Sequence, residues 1–272
     1  MYLYHEQFSM NHDFPLVEAP KKVLVIASTG RCGSHMLGHA LHATGKFGFP
    51  LEYANPGNIA QWQERLGTNS ALETLKEIQK IRTSSNGVFG IKIHYPHIAQ
   101  FGGFRNLLEF FPGAYFVLLT RKDVLKQAVS LSIASQTGVW IAGQKSVTDS
   151  PRYSFDHIDS CLRETILNNA SWRYALAASG CKHLELDFAA VRQNIAETVE
   201  NIADFMNVKI ETSNVPKQQL TEKQSNRINE EWTRRFVTEF KKSSELIRKQ
   251  KKRFGTQVFN KIRKKWRLWA NS

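Results

Sequence analysis

Residues Val23 to Leu37 (V-L-V-I-A-S-T-G-R-C-G-S-H-M-L) constrain the fold more than any other stretch. The apolar run, β-branched at Val23, Val25 and Ile26, predicts a buried parallel strand. It breaks into a short Gly/Ser loop, after which Met36, Leu37, Ala40 and Leu41 recur at helical spacing. A strand that feeds a helix N-terminus through such a loop is suited to an oxyanion. The free amides of the first turn point at the anion, and the helix dipole favours negative charge. Gly30 and Gly33 let the backbone approach closely, and Arg31 adds a fork of donors. Cys32, Ser34, His35 and Met36 complete the candidate donor-binding loop.

Three better-known loops are excluded. No Lys-Ser/Thr pair follows Gly30 at Walker A spacing, and no third glycine completes a dinucleotide fingerprint. A phosphatase-type cysteine loop needs an arginine six positions after Cys32, where Gly38 stands. The missing Walker lysine and Mg²⁺-ligand motifs also weigh against the competing enzymatic reading, a nucleotide-dependent small-molecule kinase.

Along the chain, strands alternate with helices. After a helix closed by Gly45, the pattern predicts helix over about 59–82 and strands at 87–94 and 114–120. Asp123 then caps a helix to about Ser135, and further helices are predicted at 156–178 and on to about 207, with a strand at 182–187. This is an α/β chain, with a central parallel sheet flanked by helices and ligands at the carboxyl edge of the strands. Arg121 directly follows one predicted strand, and Ser130 lies further along the succeeding helix. An Arg and a Ser so placed can close on one phosphate. On the 87–94 strand, Lys92 and His94 share a face and aim at one centre.

Composition limits the partners. The net charge of +13 resembles a nucleic-acid signal until it is located. Residues 241–272 hold 12 of the 37 Lys and Arg and one of the 24 acidic residues, so residues 1–240 carry only +2. The reading is a domain at 1–240 and a basic helical extension at 241–272. In the extension Phe259, Ile262, Trp266 and Trp269 recur at helical spacing among basic residues. That stripe suits either peripheral contact with an anionic membrane or docking on the domain itself. Nucleic acid ranks last, because nothing in the body resembles a base-reading module. The non-enzymatic alternative is a binding module driven by this tail. Three cysteines, the lack of a basic signal region and the lack of a membrane-length apolar run predict a cytoplasmic protein.

The loop at 23–37 resembles the 5′-phosphosulfate loop of sulfotransferases, enzymes that use 3′-phosphoadenosine 5′-phosphosulfate (PAPS). R-K-D-V-L-K-Q-A-V-S at 121–130, followed by Q-T-G-V-W at 136–140, resembles their 3′-phosphate motif, in particular that of the bacterial family typified by the mycobacterial trehalose 2-sulfotransferase. T-G-K-F-G-F-P-L-E-Y at 44–53 is similar to the segment carrying that family's proposed base, a place Glu52 occupies. G-I-K-I-H-Y-P at 90–96 is similar to a cytosolic sulfotransferase element whose His is the base and whose Lys lies near the sulfuryl group. K-Q-S-N-R at 223–227 resembles the family's C-terminal donor-binding loop.

This resemblance, spanning roughly residues 22 to 236, implies a P-loop-like sulfotransferase fold and in-line sulfuryl transfer from PAPS, leaving adenosine 3′,5′-bisphosphate (PAP). His94 or Glu52 is then the base, while Arg31 and Lys92 face developing negative charge. Ser34, His35 and the loop amides hold the 5′-phosphate, and Arg121 and Ser130 hold the 3′-phosphate. Lys223, Gln224 and Asn226 contact the nucleotide. No metal is called for. The implied acceptor is a hydroxyl, or an amine-type nitrogen, on a carbohydrate, glycolipid or small natural product, and a homodimer is compatible with the family. His35 and Cys32 depart from the pattern, which commonly has Thr or Ser at the first place and Ser at the second.

Overall fold

The computed structural model describes residues 4–141, 144–216 and 227–242. The chain divides at Val237: Met1–Phe236 is one compact unit, and beyond it only residues 237–242 are described. The tail features read from Phe259 to Trp269 lie outside the described residues. No helix among those described is long and apolar enough to cross a membrane.

Four parallel strands, β1 (Lys22–Ser28), β2 (Val88–His94), β3 (Tyr115–Thr120) and β4 (His183–Asp187), form a sheet in the order β2-β1-β3-β4. β1 is apolar without alternation because both of its faces are covered. Val23, Val25 and Ala27 join a core with Trp62, Phe89, Phe116 and Trp172. Leu24 and Ile26 face the opposite core, with Leu37, Leu41, Val199 and Met206. Successive side chains point to opposite sides of a strand, so an unbroken apolar run means a two-sided core.

The helices that matter to the site are α1 (Ser34–Ala43), α2 (Pro56–Leu66), α3 (Ala71–Arg82), α4 (Phe104–Phe110), α5 (Val124–Thr137), α6 (Phe155–Ser179), α7 (Phe188–Gln193), α8 (Ile195–Met206) and α9 (Arg227–Phe240). The single helix expected over 59–82 is two. Gly67 takes a left-handed conformation (φ 67°) that ends α2, and Ser70 accepts from the Glu73 amide to start α3. Local capping overrides a continuous apolar period there. Asp123 caps α5 as its sequence predicts, accepting the Lys126 amide at 3.1 Å.

Between α1 and β2 runs the tight segment Phe47–Glu52. A Cβ on Gly38 would lie 2.4 Å from the Pro50 carbonyl oxygen, and one on Gly90 would lie 2.3 Å from the Phe47 carbonyl oxygen. These two glycines make the passage, and the Lys92 amide donates to the Leu51 carbonyl at 2.9 Å to pin it. The next residue, Glu52, is thereby held beside β2.

Residues 4–17, which precede the first strand, form a strap over α1 and α3. Arg82, fully buried, donates to the Gln7 and Ser9 carbonyls at 2.8 and 2.9 Å and pairs with Asp13, which also pairs with Arg65. Under the strap, α1 presents His35, His39 and His42 at helical spacing. Tyr4 meets His35 and His39 edge-on, His12 meets His42, and His42 stacks on Phe49 at 3.9 Å. Burial lowers all three α1 imidazoles from their ordinary value, pushing His39 down to about 4.

These imidazoles are neutral in the folded protein, whereas in the unfolded chain they titrate near about 6.5. Their contribution is therefore complete above about pH 6.5 and is lost as the pH falls from there. Urea unfolding should show a midpoint that drops between pH 7.5 and 5, and His39→Phe should flatten the drop. Equal slopes for the two proteins would remove His39 from the account.

Candidate active site

The register sets the site. Ser28 pairs with His94 across β1 and β2, and Thr120 pairs with Asp187 across β3 and β4, so all four strands end at one edge. The chain leaves β1 for β2 on one side and then crosses to β3 on the other, which opens a crevice between β1 and β3. Loop 29–33 enters that crevice.

The loop is shaped by backbone and by a buried polar frame. Arg31 (φ 65°) and Gly33 (φ 89°) both adopt left-handed conformations, and a Cβ on Gly33 would lie 2.3 Å from the Phe188 ring. Gln127, fully buried on α5, donates to Thr29 Oγ1 at 2.8 Å and to the Gly30 carbonyl at 2.7 Å. Thr29 in turn donates to Asn169, and Trp172 Nε1 donates to the Ser28 carbonyl at 3.0 Å. With these groups engaged, the amides of the first α1 turn remain for a ligand.

Arg31 reaches across the crevice, donating from Nε to Ser130 Oγ at 3.0 Å and from Nη1 to the Trp140 carbonyl at 2.5 Å. Burial and then repulsion from Arg121 lower its guanidinium to about 10, so it stays charged at neutral pH. Arg121, lowered chiefly by burial, sits over the Phe188 ring, as does Arg192. A pocket of about 550 Å³ opens here, lined by Arg121, Lys122, Lys126, Ser130, Phe188, Arg192 and Arg227 among others. Asp123, Asp187 and Glu230 also line it, leaving an excess of positive charge.

The second half of the site lies at the end of β2. Lys92 Nζ is 2.8 Å from Glu52 Oε1, and His94 Nε2 is 3.6 Å from the same oxygen. Asn55, the cap of α2, donates weakly to Glu52 Oε2 at 3.4 Å, and Asn58 donates to the Glu52 carbonyl at 2.8 Å. Burial alone would raise the Glu52 carboxyl. His94, Lys92 and His97 outweigh it and hold the group well below the usual carboxylate range. Burial also lowers His94, against the opposing pull of Glu52, so its imidazole is neutral at pH 7.

The structure thus brings Glu52, Lys92 and His94 to one point, and gathers Gly30, Arg31, Gly33, Ser34, Arg121 and Ser130 around the crevice. Three expected residues turn elsewhere. The Met36 side chain is in the core, and the His35 ring lies against Tyr4 and His39. Cys32 is fully buried in the same core. Lys223, Gln224 and Asn226 lie outside the described residues. Trp232 is buried with Val129, Ile158 and Phe236. Sequence reasoning passed over His97, although the H-x-x-H spacing of His94 and His97 was a usable signal. A 3₁₀ turn (Tyr95–Phe101) follows β2, and residues three apart eclipse in such a turn. Gln127, Phe188 and Arg192 were also missed. Phe188 and Arg192 follow β4 much as Arg121 follows β3.

A family model described as Stf0 sulphotransferase matches residues 23–239 of the chain. The chain is 26% identical over 260 residues to the trehalose 2-sulfotransferase of Mycobacterium tuberculosis (strain ATCC 35801 / TMC 107 / Erdman), covering 81% of this chain and 96% of that protein. Similar solved structures include the sulfotransferase domain of the Synechococcus PCC 7002 olefin synthase, 13% identical, covering 87% of this chain and 93% of that one, with a TM-score of 0.43. Another is the sulfotransferase STF1 from Mycobacterium tuberculosis H37Rv, 11% identical, covering 80% and 72%, with a TM-score of 0.47.

Gly33→Ala would combine a strained φ with a collision against Phe188, and should cost about 1–3 kcal/mol of stability. A denaturant midpoint equal to that of the parent protein would show that the loop relaxes freely.

Proposed function

The chain belongs to the Stf0 sulphotransferase family, and from that membership we propose that it moves the sulfuryl group of PAPS in line to a hydroxyl, or an amine-type nitrogen, of a carbohydrate, glycolipid or small natural-product acceptor. The observation that carries the donor reading is an electropositive pocket lined by Arg121, Ser130 and Arg192, with Arg31 donating to Ser130 and with the lining Phe188 ring against Gly33 at the N-terminus of α1. Guanidinium groups gathered in a pocket with more positive than negative charge are suited to an anionic ligand. A nucleotide with phosphates at both its 3′ and 5′ positions fits that charge. Arg121 and Ser130 are assigned the 3′-phosphate, and loop 30–36 the 5′ side. Lys223, Gln224 and Asn226 keep their proposed contact with the nucleotide.

The chemistry then divides between two groups of residues. The donor supplies a sulfuryl group and a bisphosphate leaving group. A bond forms between the acceptor atom and sulfur, the bond from sulfur to the bridging phosphate oxygen breaks, and the acceptor proton must be taken up. His94 is the base, because burial leaves it neutral at pH 7 with a lone pair available. Glu52, tied to Lys92, is too weak a base at neutral pH and orients the imidazole. Lys92 and Arg31 stabilise charge that accumulates on the sulfuryl and bridging oxygens. We place the enzyme in the cytoplasm, with residues 1–240 as the catalytic unit. The basic stretch at 241–272 would be a point of peripheral membrane contact for a lipid-borne acceptor.

Calorimetric titration with PAP should give selective, low-micromolar binding, with ATP and Mg²⁺ far weaker and Arg121→Ala reducing PAP affinity at least tenfold. Preference for ATP with Mg²⁺ would overturn the donor assignment. His94→Ala should lower kcat by about 10²–10⁴ while leaving PAP affinity within twofold. Unchanged turnover would move the base to another group.

A further inference from the structure

We propose that Glu52, His94 and His97 form a binding site for a transition-metal dication, Zn²⁺ foremost, and that its occupancy blocks sulfuryl transfer. One ligand atom from each residue lies within 4.8 Å of the others. His94 Nε2 and His97 Nδ1 are both buried without a hydrogen-bond partner among the described residues. Two ring nitrogens without partners, facing one carboxylate, bear a desolvation cost that a metal ion would offset.

All three ligands are set by backbone rather than by chance packing. Glu52 follows the residue bridged to β2, His94 ends that strand, and His97 stands on the 3₁₀ turn that continues it. The two rings are tilted by 30° with centroids 5.1 Å apart. Two imidazoles and one carboxylate form a borderline ligand set that suits Zn²⁺ and leaves a fourth position open. Mg²⁺ and Ca²⁺, which take oxygen ligands, are disfavoured. Tetrahedral coordination at about 2.0–2.2 Å places ligand atoms about 3.3 Å apart. A modest rotation of the His97 side chain therefore completes the site.

Lys92 is the competitor. Its ammonium holds Glu52 Oε1 at 2.8 Å, so a dication must displace it. The site is therefore a reversible one, weaker than a structural zinc centre. Once bound, Zn²⁺ uses the His94 lone pair and the Glu52 carboxylate. Binding depends only on these side chains, whereas the inhibition rests on the proposed transfer reaction.

The test is titration of Zn²⁺ into the protein at pH 7.5 against a chromophoric zinc indicator, with neither donor nor acceptor present. The expected result is one ion per chain with low-micromolar affinity, weakened at least tenfold in His97→Ala and tightened at least fivefold in Lys92→Met. Thermal melts establish that each variant folds, and Lys92→Gln serves if the Met variant does not. His183→Ala, which removes the exposed imidazole beside Cys181, should bind as the parent does. Parent-like affinity in His97→Ala, or weakening in His183→Ala, would overturn the site. Sulfuryl transfer should then fall with Zn²⁺ and return with EDTA. Undiminished transfer in zinc-loaded protein that still binds PAP would overturn the inhibition and leave the donor assignment standing.

Discussion

The parallel register of β1 between β2 and β3 is the constraint from which the site follows. Because Ser28 and His94 are direct partners, the anion loop and the basic end of β2 emerge side by side. Because β3 lies on the other flank of β1, Arg121 enters the same crevice from the opposite direction. A slip of one residue in the β1–β2 pairing would turn Lys92 and His94 to the other face of the sheet. The two-sided core resists such a slip, since Val25 and Ile26 are each fully buried on their own side.

Charge organises the rest. One half of the site gathers cations, with Arg121 lowering the Arg31 guanidinium and Arg192 lowering that of Arg121. The other half is compensated, with Glu52 ionised between Lys92 and a neutral imidazole. In the proposed reaction this asymmetry would separate two tasks, since anion binding needs excess positive charge and proton uptake needs an uncharged base. A buried ion pair such as Lys92–Glu52 adds little net stability, because desolvating both partners opposes their attraction. Its value is positional, and it is supported by the Leu51 bridge and by Asn55 and Asn58.

The strap adds a layer that precedes the family-matched residues. Its anchor is Arg82, buried and tied to two carbonyls and to Asp13. Through Tyr4 it reaches His35, the residue that departs from the family pattern at the helix entry. The histidine face of α1 is thus a packing surface under the strap.

Much of this was legible locally. An apolar run without alternation, once it is a strand, must be covered on both sides, and a glycine-bearing turn into a helix presents free amides to an anion. Asp123 capped its helix because capping depends on three neighbouring residues. The division of 59–82 into two helices was less legible, since apolar spacing continues across the break and only Gly67 and Ser70 mark it. Lys92 and His94 were readable as a pair because strand periodicity is two. Their meeting with Glu52 was not readable, because a long stretch of chain intervenes and the crossing depends on the room left by Gly38 and Gly90. Gln127 and Phe188 carry no local signal strong enough to place them. Strand, helix and capping chemistry act over a few residues and are written in the chain itself. Which side chains face one another across the crevice is decided by register and close packing, which exist only once the sheet has formed.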